Sequence, residues 1–219
     1  MPAAADAGAL LGPKIPCLVT HPIAEEDRQR YANLLAQIKA RGDATVVPLT
    51  PPVTVFDLES AALNARKMIE LVALGSLVTN RSAAERVSSA LQKKDWNEAR
   101  KILRSVNPQY WPVPTTKHQA APNVFEAGDV TEPYLTEEKA GHAWGFLSTL
   151  LHAVNPYVAE PDVMESARRV RKILTEITVL ISHHEIHLAD TNYMAIALIN
   201  AQPGNFVQVA LFERVKEGE

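Results

Sequence analysis

His152, and the Arg66–Glu70 pair one helical turn apart, are the side chains whose types and spacing best suit acid–base or phosphate chemistry. The stretch LLHAVNPY (150–157) ends an otherwise apolar helical run in a histidine, and Asn155-Pro156 then turns the chain out of the helix. At a helix C-terminus the dipole favours a protonated imidazole. His152 is therefore either a capping group that stops the helix or, with Asn155, a polar group at a cleft. The same helix carries Gly141, Gly145, Ser148 and Thr149 on one stripe, where small side chains let another backbone approach closely. Arg66 and Glu70 read either as a structural ion pair or, partly shielded by Leu63 and Leu74, as groups that orient His152.

Two further clusters carry chemistry. Arg168, Arg169, Arg171 and Lys172 form a basic run that, with Arg100, Lys101 and Arg104, could face nucleic-acid phosphates or simply be solvated helix surface. In SHHEIHLAD (182–190), His183 and His187 share a face if the helix persists, as metal-binding pairs do. On that helix Glu185 points elsewhere and His184 falls on the apolar stripe. A metal would need a third ligand such as Asp190 or His142, and the spacing is not H-E-x-x-H. No glycine-rich phosphate loop and no G-x-S-x-G elbow occurs, so no cofactor and no metal is expected.

The chain has 219 residues, 47% hydrophobic and 21% charged, with a net charge of −3, enough for one generous core. An acidic chain does not bind nucleic acid through bulk charge, so any such contact must be local. The lone Cys17 excludes an intramolecular disulfide or a thiolate cage and points to a reducing cytoplasm. No apolar run reaches the ~18 residues of a membrane span.

The elements that must position these groups are mostly helices. Residues 1–14 read as a flexible lead-in, and 15–52 as a strand-helix-strand unit whose strands, KIPCLVTHP and ATVVPLTPP, are weakened by proline. The helix between them carries Tyr31, Leu34, Leu35 and Ile38 inward. Thr54 and Asp57 have capping-box spacing for a long helix with Leu58, Ala61, Ala65, Ile69, Val72 and Leu77 on its core face. Ser82 and Asp95 start two shorter helices, and Asn107-Pro108 stops the second. Residues 107–135 read as a long proline-rich loop in which Tyr110 and Trp111 either stack on a base or pin the loop to the core. Thr136 caps the helix that ends at His152. A last helix runs from Pro161 to about Leu188, with Met164, Ala167, Val170, Leu174, Ile177 and Ile181 inward, and a hairpin occupies 193–215. The expected fold is mainly α: a helical bundle over 53–219 with a C-terminal β-hairpin and a small irregular N-terminal α/β unit.

The segments ARKMIELVALGSLVTN, VNPQYWPVP, YLTEE, LLHAVNPY and HHEIHLAD…FVQVALFERV together resemble a group of bacterial and phage-associated proteins, over about residues 56–215. The long early helix and the later helix ending in a histidine also resemble the HEPN superfamily. That resemblance implies a helical bundle, a homodimer, and metal-independent ribonuclease chemistry in a defence or toxin–antitoxin setting. The family's catalytic histidine would fall on His152. Its arginine would fall a few residues earlier, where positions 144–148 read Trp-Gly-Phe-Leu-Ser, so the cation that would hold the scissile phosphate is absent. Arg66 would have to supply it, with Asn155 and Glu70 orienting the pair. The expectation is a HEPN-like protein that binds RNA or a protein partner, with the activity of a ribonuclease left open. The alternatives are a non-catalytic scaffold that docks a partner through the proline-rich loop, and a metal-dependent hydrolase built on His183 and His187.

Overall fold

The computed structural model describes residues 24–46, 48–79, 84–121, 124–152, 157, 162–189, 191–201 and 206–213. The protein is mainly helical, with a five-stranded antiparallel sheet. In chain order the elements are α1 (Glu25–Asp43), α2 (Val55–Gly75, continued by a 3-10 turn at Ser76–Thr79), α3 (Ala84–Gln92), α4 (Trp96–Val106), β1 (Val113–Ala121), β2 (Val124–Asp129), α5 (Glu137–Thr149), α6 (Val163–Ser182), β3 (His183–His187), β4 (Tyr193–Ala201) and β5 (Phe206–Glu213). No described helix is long and apolar enough to cross a membrane.

Local chemistry sets the helix starts. Thr54 and Asp57 form the full capping box of α2, each side chain bonding the other's backbone N–H. Asp95 caps α4, Thr136 caps α5, and Asp162 accepts from the N–H groups of Met164 and Glu165 to start α6. Ser82, expected to cap α3, lies outside the described residues, as does the expected strand KIPCLVTHP. The core stripe of α2 is as the periodicity requires: Leu58, Ala61, Ala65, Ile69, Val72 and Leu77 are all buried. Tyr31, Leu35 and Ile38 of α1 join the same core.

Four expectations are corrected. The α1–α2 connection forms turns at Ala44–Val46 and Pro48–Leu49 where a second strand was expected. Residues 107–135 are not one loop, because they contain the β1–β2 hairpin. The last helix stops at Ser182, six residues before Leu188, and Met164 on it is exposed. From His183 the backbone is extended, and β3 runs through the center of a sheet ordered β2-β1-β3-β4-β5. The expected C-terminal hairpin, β4–β5, is present at one edge of that sheet.

The change from helix to strand at His183 inverts the reading of that histidine cluster. With a period of two, His184 and Ile186 point into the core while His183, Glu185 and His187 share the other face. His184 is fully buried. Its Nδ1 lies 3.1 Å from the Ile181 carbonyl, which can only accept, so Nδ1 carries the proton and Nε2 accepts from the Tyr31 hydroxyl at 2.6 Å. That bond ties α1 to β3. Tyr31 in turn packs on Gly75, where an added Cβ would sit 2.8 Å from the ring, so the end of α2 needs a residue without a side chain.

Burial holds the His184 imidazole down, to a pKa of about 4 from its ordinary 6.5. The unfolded chain therefore binds a proton that the folded chain refuses between those two values. This contribution to stability is complete above pH 6.5 and is lost on acidification towards pH 4, by up to ~1.4 kcal/mol per pH unit. Denaturant titrations of wild type and His184→Gln across this range should show the wild-type advantage shrinking as pH falls. Parallel curves would show that His184 does not carry the linkage.

Candidate nucleic-acid interface

α5 and α6 flank a cleft of about 460 Å³ whose rim is rich in cations. From α5, Lys139 and His142 stand one turn apart. From α6 come Arg168, Arg169 and Lys172, three of the four residues of the basic run. Leu135, Ala143 and Ile173 form its apolar floor. Two carboxylates also line it. Glu165 pairs with Arg168, and the buried Glu176 lies 3.6 Å from Lys139, whose ammonium also donates to the Tyr134 carbonyl at 2.9 Å. The count is four Lys and Arg against two Glu, a local positive excess on a chain of net charge −3. The Arg169 guanidinium lies 3.8 Å above the Phe146 ring, a cation–π contact that holds one face of this exposed side chain.

Arg171, the fourth residue of the run, points elsewhere. It donates to the Leu49 carbonyl at 2.8 Å on the opposite flank of α6 and takes no part in this cleft. Arg100 and Arg104 of α4 are also committed. Glu137 accepts from Arg100 Nε at 2.8 Å, from Arg104 Nη2 at 2.9 Å and from the Tyr110 hydroxyl at 2.7 Å. Burial pushes the Glu137 carboxyl up, but the bonds from Arg104 and Tyr110 and the two arginine charges outweigh it and hold it below its usual range. Tyr110 and Trp111 are buried, and the Trp111 indole donates to the Leu135 carbonyl at 3.0 Å. They pin the chain to the core and are not free to stack on a base.

The residues proposed for catalysis are placed as follows. Arg66 and Glu70 are together, and Glu70, only 8% exposed, accepts from Arg66 Nε at 3.2 Å, Lys67 Nζ at 2.9 Å and the Trp144 indole at 3.3 Å. The Arg66 guanidinium also lies 4.4 Å above the Trp144 ring. α5 ends at Thr149, so His152 follows the helix by three residues and does not terminate it. Its ring is exposed, lines no part of the cleft, and has no hydrogen bond to a described residue. Asn155 lies outside the described residues. The structure thus joins Arg66 to Glu70 and Trp144, and leaves His152 apart from the cationic cleft. Nor is the small-residue face wholly open. A Cβ on Gly141 would meet Trp96 Nε1 of the same chain at 3.1 Å, while Gly145 has nothing within 4 Å.

The helical geometry expected for the His183–His187 pair is corrected by the strand. His183 and His187 are four residues apart on β3, which separates their Cα atoms by about 13 Å, too far to share an ion. Glu185, expected to point away, is on their face, and its Oε1 lies 3.4 Å from His187 Nε2. Among the described residues no group of three potential ligands converges. Asp190 lies outside the described residues, and His142 stands in the α5–α6 cleft.

No family model, curated protein or solved structure matches this chain. The sequence reading missed Lys139 as a cleft residue and Phe146 as the ring that backs Arg169. The available signal was the Lys139, His142, Phe146 spacing, which gives α5 a second face beside its core stripe.

Arg66→Met should lower stability by about 1–3 kcal/mol, because it leaves the Glu70 carboxylate buried with fewer donors. Guanidinium denaturation measures this. An unchanged midpoint would show that the pair contributes nothing to the α2–α5 contact.

Proposed function

We propose that this protein binds single-stranded RNA through the α5–α6 cleft without cutting it. One observation carries the reading: Arg168, Arg169 and Lys172, singled out as phosphate contacts from sequence, converge with Lys139 and His142 on one cleft of ligand-binding size. The chemistry suits a single strand. Exposed Lys and Arg side chains attract phosphates by releasing counterions, and the exposed Arg169, backed by Phe146, offers a platform for a base. A cleft of this volume admits a nucleotide or two and does not admit a duplex. Cleavage of the HEPN kind would need a cation and His152 at one phosphate. Arg66 is already engaged by Glu70 and Trp144, and His152 is exposed outside the cleft.

Fluorescence anisotropy with a labelled uridine 12-mer tests the proposal. Binding should fall steeply with salt, and Arg168→Ala with Lys172→Ala should make the log–log slope shallower by about 0.7 per residue removed. Arg171→Met, on the other flank of α6, should leave the affinity unchanged. A double variant that binds like wild type, with the same slope, would move the site elsewhere. The oligonucleotide should stay intact on a denaturing gel; cleavage lost in His152→Ala would restore the nuclease reading.

A further inference from the structure

A second cavity, of about 670 Å³, lies on the other flank of α6, bounded by the end of α1, the turns after it, α2 and β4. Its walls are apolar: Ile38, Leu49, Met68, Leu174, Ile181 and Ile199. Five hydroxyl-bearing residues also line it, and each hydroxyl proton is already given to a carbonyl of its own segment. Thr45 donates to Gly42, Thr50 to Val46, Thr175 to Arg171, Thr178 to Leu174 and Ser182 to Thr178, at 2.6 to 3.1 Å. Such residues turn methyl or methylene groups toward a ligand and have no donor left for it. The Lys39 ammonium is held by Asp43 at 2.9 Å.

Arg171 is the exception. It has five N–H donors, one of which bonds the Leu49 carbonyl, and no carboxylate pairs with it among the described residues. A half-buried guanidinium with donors to spare, at the wall of an apolar cavity, matches an anion with a hydrocarbon tail. We propose that this cavity binds an aliphatic carboxylate of the fatty-acid type, with the head group on Arg171 and the chain along Leu174 and Ile181. The site is separate from the cationic cleft and does not depend on the RNA reading.

Isothermal titration of the full chain with octanoate, decanoate and dodecanoate, each below its micellar concentration, tests this. Binding should be one to one and strengthen about fourfold for each added methylene until the cavity is full. Decyltrimethylammonium, with the same chain and the opposite charge, should bind at least tenfold more weakly than decanoate. Arg171→Met keeps the apolar stem and should cost tenfold or more. Thr178→Trp fills the cavity from an exposed position and should abolish binding, with circular dichroism and the melting temperature confirming that both variants fold. The proposal is overturned if no saturable binding appears, if the cationic amphiphile binds as well as decanoate, or if either folded variant binds like wild type.

Discussion

A buried carboxylate decides how α5 lies, and the cationic cleft depends on α5. Glu70 faces inward from α2, and a carboxylate at that depth costs several kcal/mol unless donors surround it. Arg66 and Lys67 come from its own helix, but the third donor is the Trp144 indole of α5. That indole also stacks on Trp96 of α4, with ring centroids 6.3 Å apart. Glu137 holds the other end of α5 to Arg100, Arg104 and Tyr110. With the helix fixed at both points, its rotation is set. Lys139, His142 and Phe146 lie roughly 140–160° around the axis from Trp144 and so must face α6. The ion pair singled out from sequence as a catalytic candidate is thus what supports the cleft from behind.

The helices were legible because their signals are local. Thr54 with Asp57, Asp95 and Thr136 cap the helices they were expected to cap, and the apolar stripe of α2 is the buried face. The sheet was not legible, and one boundary explains most of the loss. The run ITVLISHHEIHL keeps helical spacing through Ile177, Ile181 and Leu188, with His184 on the same stripe, so periodicity carries the helix past Ser182. The chain instead becomes β3, which pairs with β4 on one side and β1 on the other. A strand is stabilized only by a partner. With the central strand read as helix, the β1–β2 hairpin had no sheet to join and read as a proline-rich loop.

The candidate site was legible in type and not in geometry. Arg168, Arg169, Arg171 and Lys172 read as one patch because they are adjacent in sequence. At 100° per residue, Arg169 and Arg171 lie about 160° apart, and α6 is covered by different neighbours on the two sides. Arg169 meets Phe146 of α5, while Arg171 meets the Leu49 carbonyl after α1. Only knowledge of which elements flank α6 separates them. His152 shows the converse limit. Asn-Pro after it is a sound stop signal, but stop signals locate a helix end only to a few residues, and α5 ends at Thr149. A side chain three residues past a helix takes its direction from the turn, so a helical face no longer tells what it meets.

The net charge of −3 limits where the positive cleft can act. Beyond the Debye length, ~8 Å at physiological ionic strength, a phosphate senses neither the acidic whole nor the cleft. Inside that distance the rim carries an excess of two positive charges, because Arg168 offsets Glu165 and Lys139 offsets Glu176, which leaves Arg169 and Lys172. The attraction is therefore short-ranged. It acts on a strand already at the surface and steers little from afar. At very low salt the screening length grows past the dimensions of the cleft, and the acidic remainder of the chain then opposes the approach of the same phosphates.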